Sequence, residues 1–302
     1  MTIQQCKYVL EIARTGSFSE AAKQLFIAQS SLSAGIKSLE RELNICIFQR
    51  SSNGVYLTDE GSEFVRYAAD IVAASELAVG RYKSPQKTET LFIATQHYDF
   101  IADVFGNFVK DVDLDRYRFS IKEIETYNVI REVENSYSDI GIIAIKDGDY
   151  DIMKRYLNKR NITFVSMLEA APHVFVRRAH PLASMDRLSV ADLKDFPYVS
   201  YEQGGQTASF FTEELNDARA MDKHIEISDR ATLMNLLLMT DAYTVGTGIM
   251  PSALNKGDIV SIPFDSKEHY IIGYLLNSAR KVSPMTERFI AHLKESIQNL
   301  FE

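Results

Sequence analysis

The sequence is poor in cysteine. Its 302 residues hold two, Cys6 and Cys46. They form no CxxC, and no histidine pair accompanies them, which argues against a zinc module; two cysteines in a long chain make no disulfide scaffold. The expectation is two reduced side chains buried as small apolar groups. Long apolar runs are missing as well. The longest bulky stretch is Tyr270 to Leu276, well short of the roughly 20 residues a membrane helix needs. The N-terminus shows no basic segment leading into an apolar core, so the expected location is cytoplasmic. Catalytic signatures are lacking too. Six histidines are spread from His97 to His292 without metal-ligand spacing, and there is no Gly-rich phosphate loop, nucleophile elbow or HExxH. No cofactor, metal ion or enzymatic activity is expected.

What is present is globular: 46% apolar residues and 25% charged, enough chain for two or three small domains. The net charge of −8 is unevenly spread. Residues 1–58 hold six Lys and Arg against four acids, a net +2, while the remainder carries −10. A small head suited to an anionic polymer on an acidic body is the sign this asymmetry predicts. So mild a positive charge makes dimerisation important for affinity.

The head is organised around Ser17 to Arg50. Ser17 and Glu20 have capping-box spacing at the start of one helix. After a break at Phe26-Ile27-Ala28, a second helix opens at Gln29-Ser30, with Leu32, Ile36, Leu39 and Leu43 on one stripe. Its other face carries Ser30, Ser33, Ala34, Lys37 and Arg41, small, polar and basic, as a helix entering a DNA major groove requires. Two short apolar runs then flank Asn53-Gly54, a hairpin signal. Helix–turn–helix plus hairpin is a winged helix, with Arg50 on the wing.

The run Gly16-Ser17-Phe18, Ala21-Ala22, Leu25, Gln29-Ser30-Ser31-Leu32-Ser33, Ile36, Leu39-Glu40, Leu43, Phe48, Arg50, Leu57-Thr58 and Gly61 resembles the DNA-binding domain of LysR-type transcriptional regulators. Two departures stand out. Ser30 occupies a place where that family often has Pro, and Gly35 lies mid-helix, where it costs about 1 kcal/mol against Ala unless it serves a close approach of backbone or DNA. Double-stranded DNA is the expected partner. Gln29, Ser30, Ser33, Ala34 and Lys37 are the candidates for the major groove, with Arg50 and Lys37 alternatively on phosphate.

An inward face of Ile3, Tyr8, Val9, Ile12 and Ala13 makes residues 3–14 a first helix. Thr58 caps a long helix running to about Arg81, whose apolar surface (Phe64, Val65, Ala68, Ala69, Ile71, Val72, Ala78, Val79) is too wide for one partner. The resemblance implies that this helix pairs with that of a second chain. Residues 1–58 are therefore expected as the head, 59–82 as a dimerising helix and 83–90, with Pro85, as a hinge.

Beyond it, strand and helix patterns alternate, predicting a two-lobed α/β body of mostly parallel sheets with helices on both faces. The first lobe is expected from 91–161 and 263–302, the second from 162–262. Asp139-Ile140-Gly141-Ile142, His180-Pro181-Leu182-Ala183 and Gly246-Thr247-Gly248-Ile249-Met250-Pro251 resemble landmarks of the family's effector domain, which is similar to type 2 periplasmic binding proteins. The resemblance implies a small-molecule effector, often a carboxylate, between the lobes, and a dimer or tetramer. Ligands of such sheets sit beyond the C-terminal strand ends. The candidates so placed are Thr95, Gln96, His97, Thr126, Ser200, Tyr201, Gln203 and Thr247. Asp99, close behind the first loop, weakens an anion site at that helix terminus. The competing class is a solute-binding protein without a DNA role. The winged helix and the missing signal peptide count against it.

Overall fold

Thr2 opens the first helix, α1 (Ile3–Thr15), through a capping box with Gln5, and Gly16 ends it at φ +64°. The computed structural model describes residues 1–51, 54–83, 88–204, 209–213, 222–249 and 257–299. They fall into two units, Met1–Thr88 and Glu89–Glu302. The inward face of α1 is rotated from the expected one. Cys6, Val9 and Ile12 are buried at intervals of three, while Ile3 is 45% exposed. Cys6 is buried as expected, but Cys46 is exposed. The chain around Cys46 is extended, so its neighbour Ile47 takes the inward place.

Ser17 caps α2 (Phe18–Gln24) by accepting the Glu20 amide. The turn after it is a Schellman motif: the Ile27 amide donates to the Ala22 carbonyl and the Phe26 amide to that of Lys23. Phe26 fills the left-handed slot at φ 56° that glycine usually takes, and its ring is 94% exposed. Then α3 (Gln29–Leu43) buries Leu32, Ile36 and Leu39 against α1 and α2. Gly35 turns inward, not towards a ligand. A Cβ there would lie 3.1 Å from the Tyr8 ring, and Gln5 Nε2 donates to the Gly35 carbonyl at 3.1 Å.

The wing is the antiparallel pair β1 (Phe48–Ser51) and β2 (Gly54–Leu57), Arg50 opposite Val55. Ser52 and Asn53 of the expected turn, and the Arg50 side chain, lie outside the described residues. Thr58 accepts the Gly61 amide at 2.8 Å and so caps α4 (Asp59–Lys83), while Asp59 and Glu60 in its first turn suit the helix dipole. Phe64, Ala68 and Val72 complete the head's core. Beyond Val72 the helix is largely open: Ala73, Leu77, Val79 and Tyr82 are exposed.

In the second unit, a five-stranded sheet has the order β4-β3-β5-β12-β6. Its strands are β3 (Glu89–Thr95), β4 (Tyr117–Glu123), β5 (Ile140–Lys146), β6 (Ile162–Ala170) and β12 (Tyr270–Asn277). The first three run parallel, and β12 is antiparallel to β5 and β6. All seven residues of β5 are buried, which its unbroken apolar run dictates. Ile142 and Ala144 join α5 (Asp99–Lys110) and α10 (Pro284–Asn299) in one core, while Ile143 and Ile145 join α6 (Thr126–Glu134) and α7 (Tyr150–Asn158) in another. Helices thus cover both faces.

The smaller lobe has β10 (Thr244–Gly246) and β11 (Ile259–Pro263) antiparallel on either side of β7 (His173–Arg177). A parallel pair, β8 (Tyr198–Tyr201) and β9 (His224–Ile227), joins it through a bridge from Tyr198 to Tyr243. Among the described residues it also has two helices, α8 (Val190–Leu193) and α9 (Arg230–Met239). The sheets are therefore mixed rather than mostly parallel. The expected lobe boundary also moves. Residues 162–170 pair with β12 and belong to the first lobe, so the chain crosses between Ala170 and His173. The predicted helix at Ser209–Ala218 begins as a short turn over Ser209–Phe211, and from 214 it lies outside the described residues.

Candidate functional site

Two places carry chemistry. In the head, α3 presents Gln29, Ser30, Ala34 and Lys37 to solvent, with Ser33 half-buried. Glu40, on the same helix, was not among the predicted site residues, yet it fixes the helix to the wing. Its Oε1 accepts the amide of Ile47 at 2.8 Å and that of Phe48 at 3.3 Å. One carboxylate thereby holds both halves of the winged helix in register. A shallow cavity beside it is lined by Phe18, Ser33, Ile36, Lys37, Glu40 and Phe48.

In the second unit a small cavity of about 60 Å³, partly open to solvent, lies between the lobes. Four of the eight predicted residues line it: His97, Ser200, Tyr201 and Thr247. The other four do not. Thr95, at the end of β3, and Gln96 and Thr126 are all buried in the first lobe. Gln96 Oε1 accepts from Tyr98 Oη and from the Ala144 amide, both at 2.6 Å, while its Nε2 donates to Thr126 Oγ1. This amide is a brace under the cavity floor, and its full set of partners explains why it points inward. Gln203 donates to the Tyr201 carbonyl at 2.9 Å and accepts the Glu213 amide at 3.1 Å, which shapes the loop rather than the cavity wall.

The walls are aromatic and acidic. The His97 ring stacks on Tyr201, centroids 4.0 Å apart and planes 10° apart. Its Nδ1 lies 3.3 Å from both carboxylate oxygens of Glu213. Burial alone depresses the imidazole pKa, but Glu213, with Glu123 and Glu125, outweighs it, and the net shift is upward. Arg230, at the start of α9, reaches across to the first lobe. Its Nη1 meets Asp99 Oδ1 at 3.0 Å and its Nη2 meets Glu123 Oε1 at 2.9 Å. Burial raises the pKa of both carboxyls despite Arg230. The phenol of Tyr201 is pushed well up by burial and by the charges of Asp99, Glu213 and Glu123. Ser200 Oγ and His224 Nε2 share a hydrogen bond of 2.6 Å. At the rim, Gly248 takes φ +78°, and a Cβ there would overlap the His173 ring at 2.4 Å, so Thr247 is presented by a loop only glycine allows. Sequence reading missed Asp99 as a wall and missed Glu213 and Arg230 altogether. Their partners are over a hundred positions away, and no local pattern announces such pairs.

Residues 3–62 match the family described as bacterial regulatory helix-turn-helix protein, lysR family. Residues 116–298, more than half of the chain, match the LysR substrate binding domain. The chain belongs to the LysR family. It is a LysR-type transcriptional regulator, with a helix-turn-helix DNA-binding domain and a substrate-binding domain. That family is one of regulators rather than enzymes. Among relatives, the HTH-type transcriptional activator CmpR of Synechocystis sp. is 22% identical over 306 residues, covering 97% of this chain and 94% of that one. The HTH-type transcriptional regulator MJ0300 of Methanocaldococcus jannaschii is 27% identical over 287 residues, covering 90% and 91%. The crystal structure of full-length CbnR complexed with its target DNA shares the fold, with a TM-score of 0.57 at 17% identity, covering 98% of this chain and 100% of that one. Among the described residues of this LysR-family chain, no helix is long and apolar enough to cross a membrane.

Proposed function

We propose that this protein binds a dyad-symmetric promoter site as a dimer or tetramer in the cytoplasm, and that a small molecule between the lobes sets how its heads engage DNA. The observation that carries the reading is the face of α3. Gln29, Ser30, Ala34 and Lys37 are exposed together on a helix whose other side is buried, and Glu40 fixes that helix beside the wing. Such a face suits base edges and phosphates of the major groove. Arg50, on the wing strand, suits phosphate or the minor groove. The exposed Val79 and Tyr82, on the side of α4 that carries Phe64, Ala68 and Val72 in its first half, support pairing of α4 with a second copy, because apolar side chains continuing one helix stripe are costly to leave in water. His97, Ser200, Tyr201 and Thr247 are the effector contacts this reading retains.

The mechanism is a population shift. Ligand binding favours one lobe setting by its differential affinity for two. DNase footprinting of the purified protein on the DNA flanking its coding sequence, at fixed salt, tests the reading. Protection of two half-sites related by a dyad supports it. An unprotected region at low salt, with folded protein, refutes promoter binding at its own locus.

A further inference from the structure

We infer that the effector of this regulator is a small organic cation, an amine on an apolar body, rather than a carboxylate. The inference rests on the cavity being the effector site and adds the sign of its ligand. Among its described lining residues there is no Lys or Arg, while Asp99 and Glu213 contribute carboxylates. The cations within reach among the described residues are already engaged. Arg230 is shared between Asp99 and Glu123, and His97 faces Glu213. Lys146, buried beneath, is held by Asp149 at 3.4 Å and Thr212 at 3.3 Å. Three carboxylates therefore face one guanidinium and one imidazole. An entering anion meets uncompensated negative charge in a partly desolvated space, where like charges are strongly disfavoured. An entering ammonium gains the same field.

The walls suit that cation. Phe175, Tyr98, Tyr198, Tyr201 and Tyr270 line the cavity. Aromatic rings attract ammonium groups through their quadrupole, and although His97 covers one face of Tyr201 and His224 one of Tyr198, the lining stays rich in aromatic groups. Leu233, Met234 and Ile249 supply an apolar side for the rest of the molecule. Hydroxyls of Ser200 and Thr247 accept hydrogen bonds as readily as they donate them, so they serve an ammonium equally well.

Isothermal titration of the full-length protein with matched probes tests this: benzylamine, benzyl alcohol and benzoate, and butylamine against butyrate. The amines are expected to bind at least about tenfold tighter than the carboxylates. Glu213→Gln should shrink that preference severalfold, with an unchanged far-UV circular dichroism spectrum showing that the variant is folded. Asp99→Asn is a second route to the same loss. Equal or tighter binding of the carboxylates, or no saturable binding of either amine, overturns the inference. A carboxylate preference leaves the regulator reading standing, since that reading is decided by DNA protection and not by the charge of the ligand.

Discussion

Arg230 is the side chain whose removal should tell most about the second unit. It joins the lobes through Asp99 at 3.0 Å and Glu123 at 2.9 Å, with the three side chains 23%, 17% and 24% exposed. Arg230→Met keeps the bulk and deletes the charge. Two carboxylates are then left half-desolvated and near each other. A charged hydrogen bond contributes about 1.5–3 kcal/mol, and breaking a fully buried pair costs about 3–5 kcal/mol. Partial exposure places this site below the second figure, so a loss of about 2–3 kcal/mol is expected. For a unit of this size that lowers the thermal midpoint by about 4–12 °C. The pH dependence has a definite sign. Burial already raises both carboxyls, and loss of Arg230 raises them further, so they protonate earlier as pH falls and the deficit narrows towards acid pH. Differential scanning calorimetry of the full chain at several pH values reads this directly. An unchanged midpoint, or a deficit independent of pH, would refute the claim that this ion network holds the lobes.

Three further outcomes are expected. Lys37→Ala should leave the head folded, weaken DNA binding, and reduce the slope of log affinity against log salt by about one, read by fluorescence anisotropy; an unaltered slope removes Lys37 from the phosphate contacts. Phe26→Gly relieves the left-handed slot without exposing any core, so the head should gain about 1 kcal/mol in urea unfolding, and a loss would show that the Phe26 ring packs on something. His97 is raised in the folded protein, so its pairing with Glu213 stabilises fully below its ordinary pKa of 6.5 and is lost as pH climbs through the elevated value. The stability difference between wild type and His97→Gln should therefore shrink as pH rises above the ordinary imidazole range; a constant difference contradicts it.

The head was legible because its determinants are local. Ser17, the Leu32–Ile36–Leu39 stripe and Thr58 each act within a turn or two of helix, and each lies where the sequence placed it. The errors came where two local patterns compete. In α1, Tyr8 and Val9 advertise one face, but Cys6, Val9 and Ile12 at spacing three define the buried one. The lobe boundary was harder still. Strand Ile162–Ala170 is followed directly by the second lobe's first strand, and its true partner, Tyr270–Asn277, is about a hundred residues later. Contacts of that range are set by sheet register, which no short pattern encodes. The cavity divided in the same way. His97, Ser200, Tyr201 and Thr247 follow from the rule about strand ends, whereas Gln96 turned inward because its amide satisfies three groups of the core.

The central claim is that the state of the cleft sets how the heads engage DNA. The most direct test is a hydroxyl-radical footprint of wild-type and Arg230→Met protein on the same promoter fragment at one salt concentration. The account predicts two protected half-sites for both proteins, with the extent of protection or its spacing changed in the variant. Identical footprints and identical affinities, with the variant's lobes shown to be loosened by calorimetry, would contradict it.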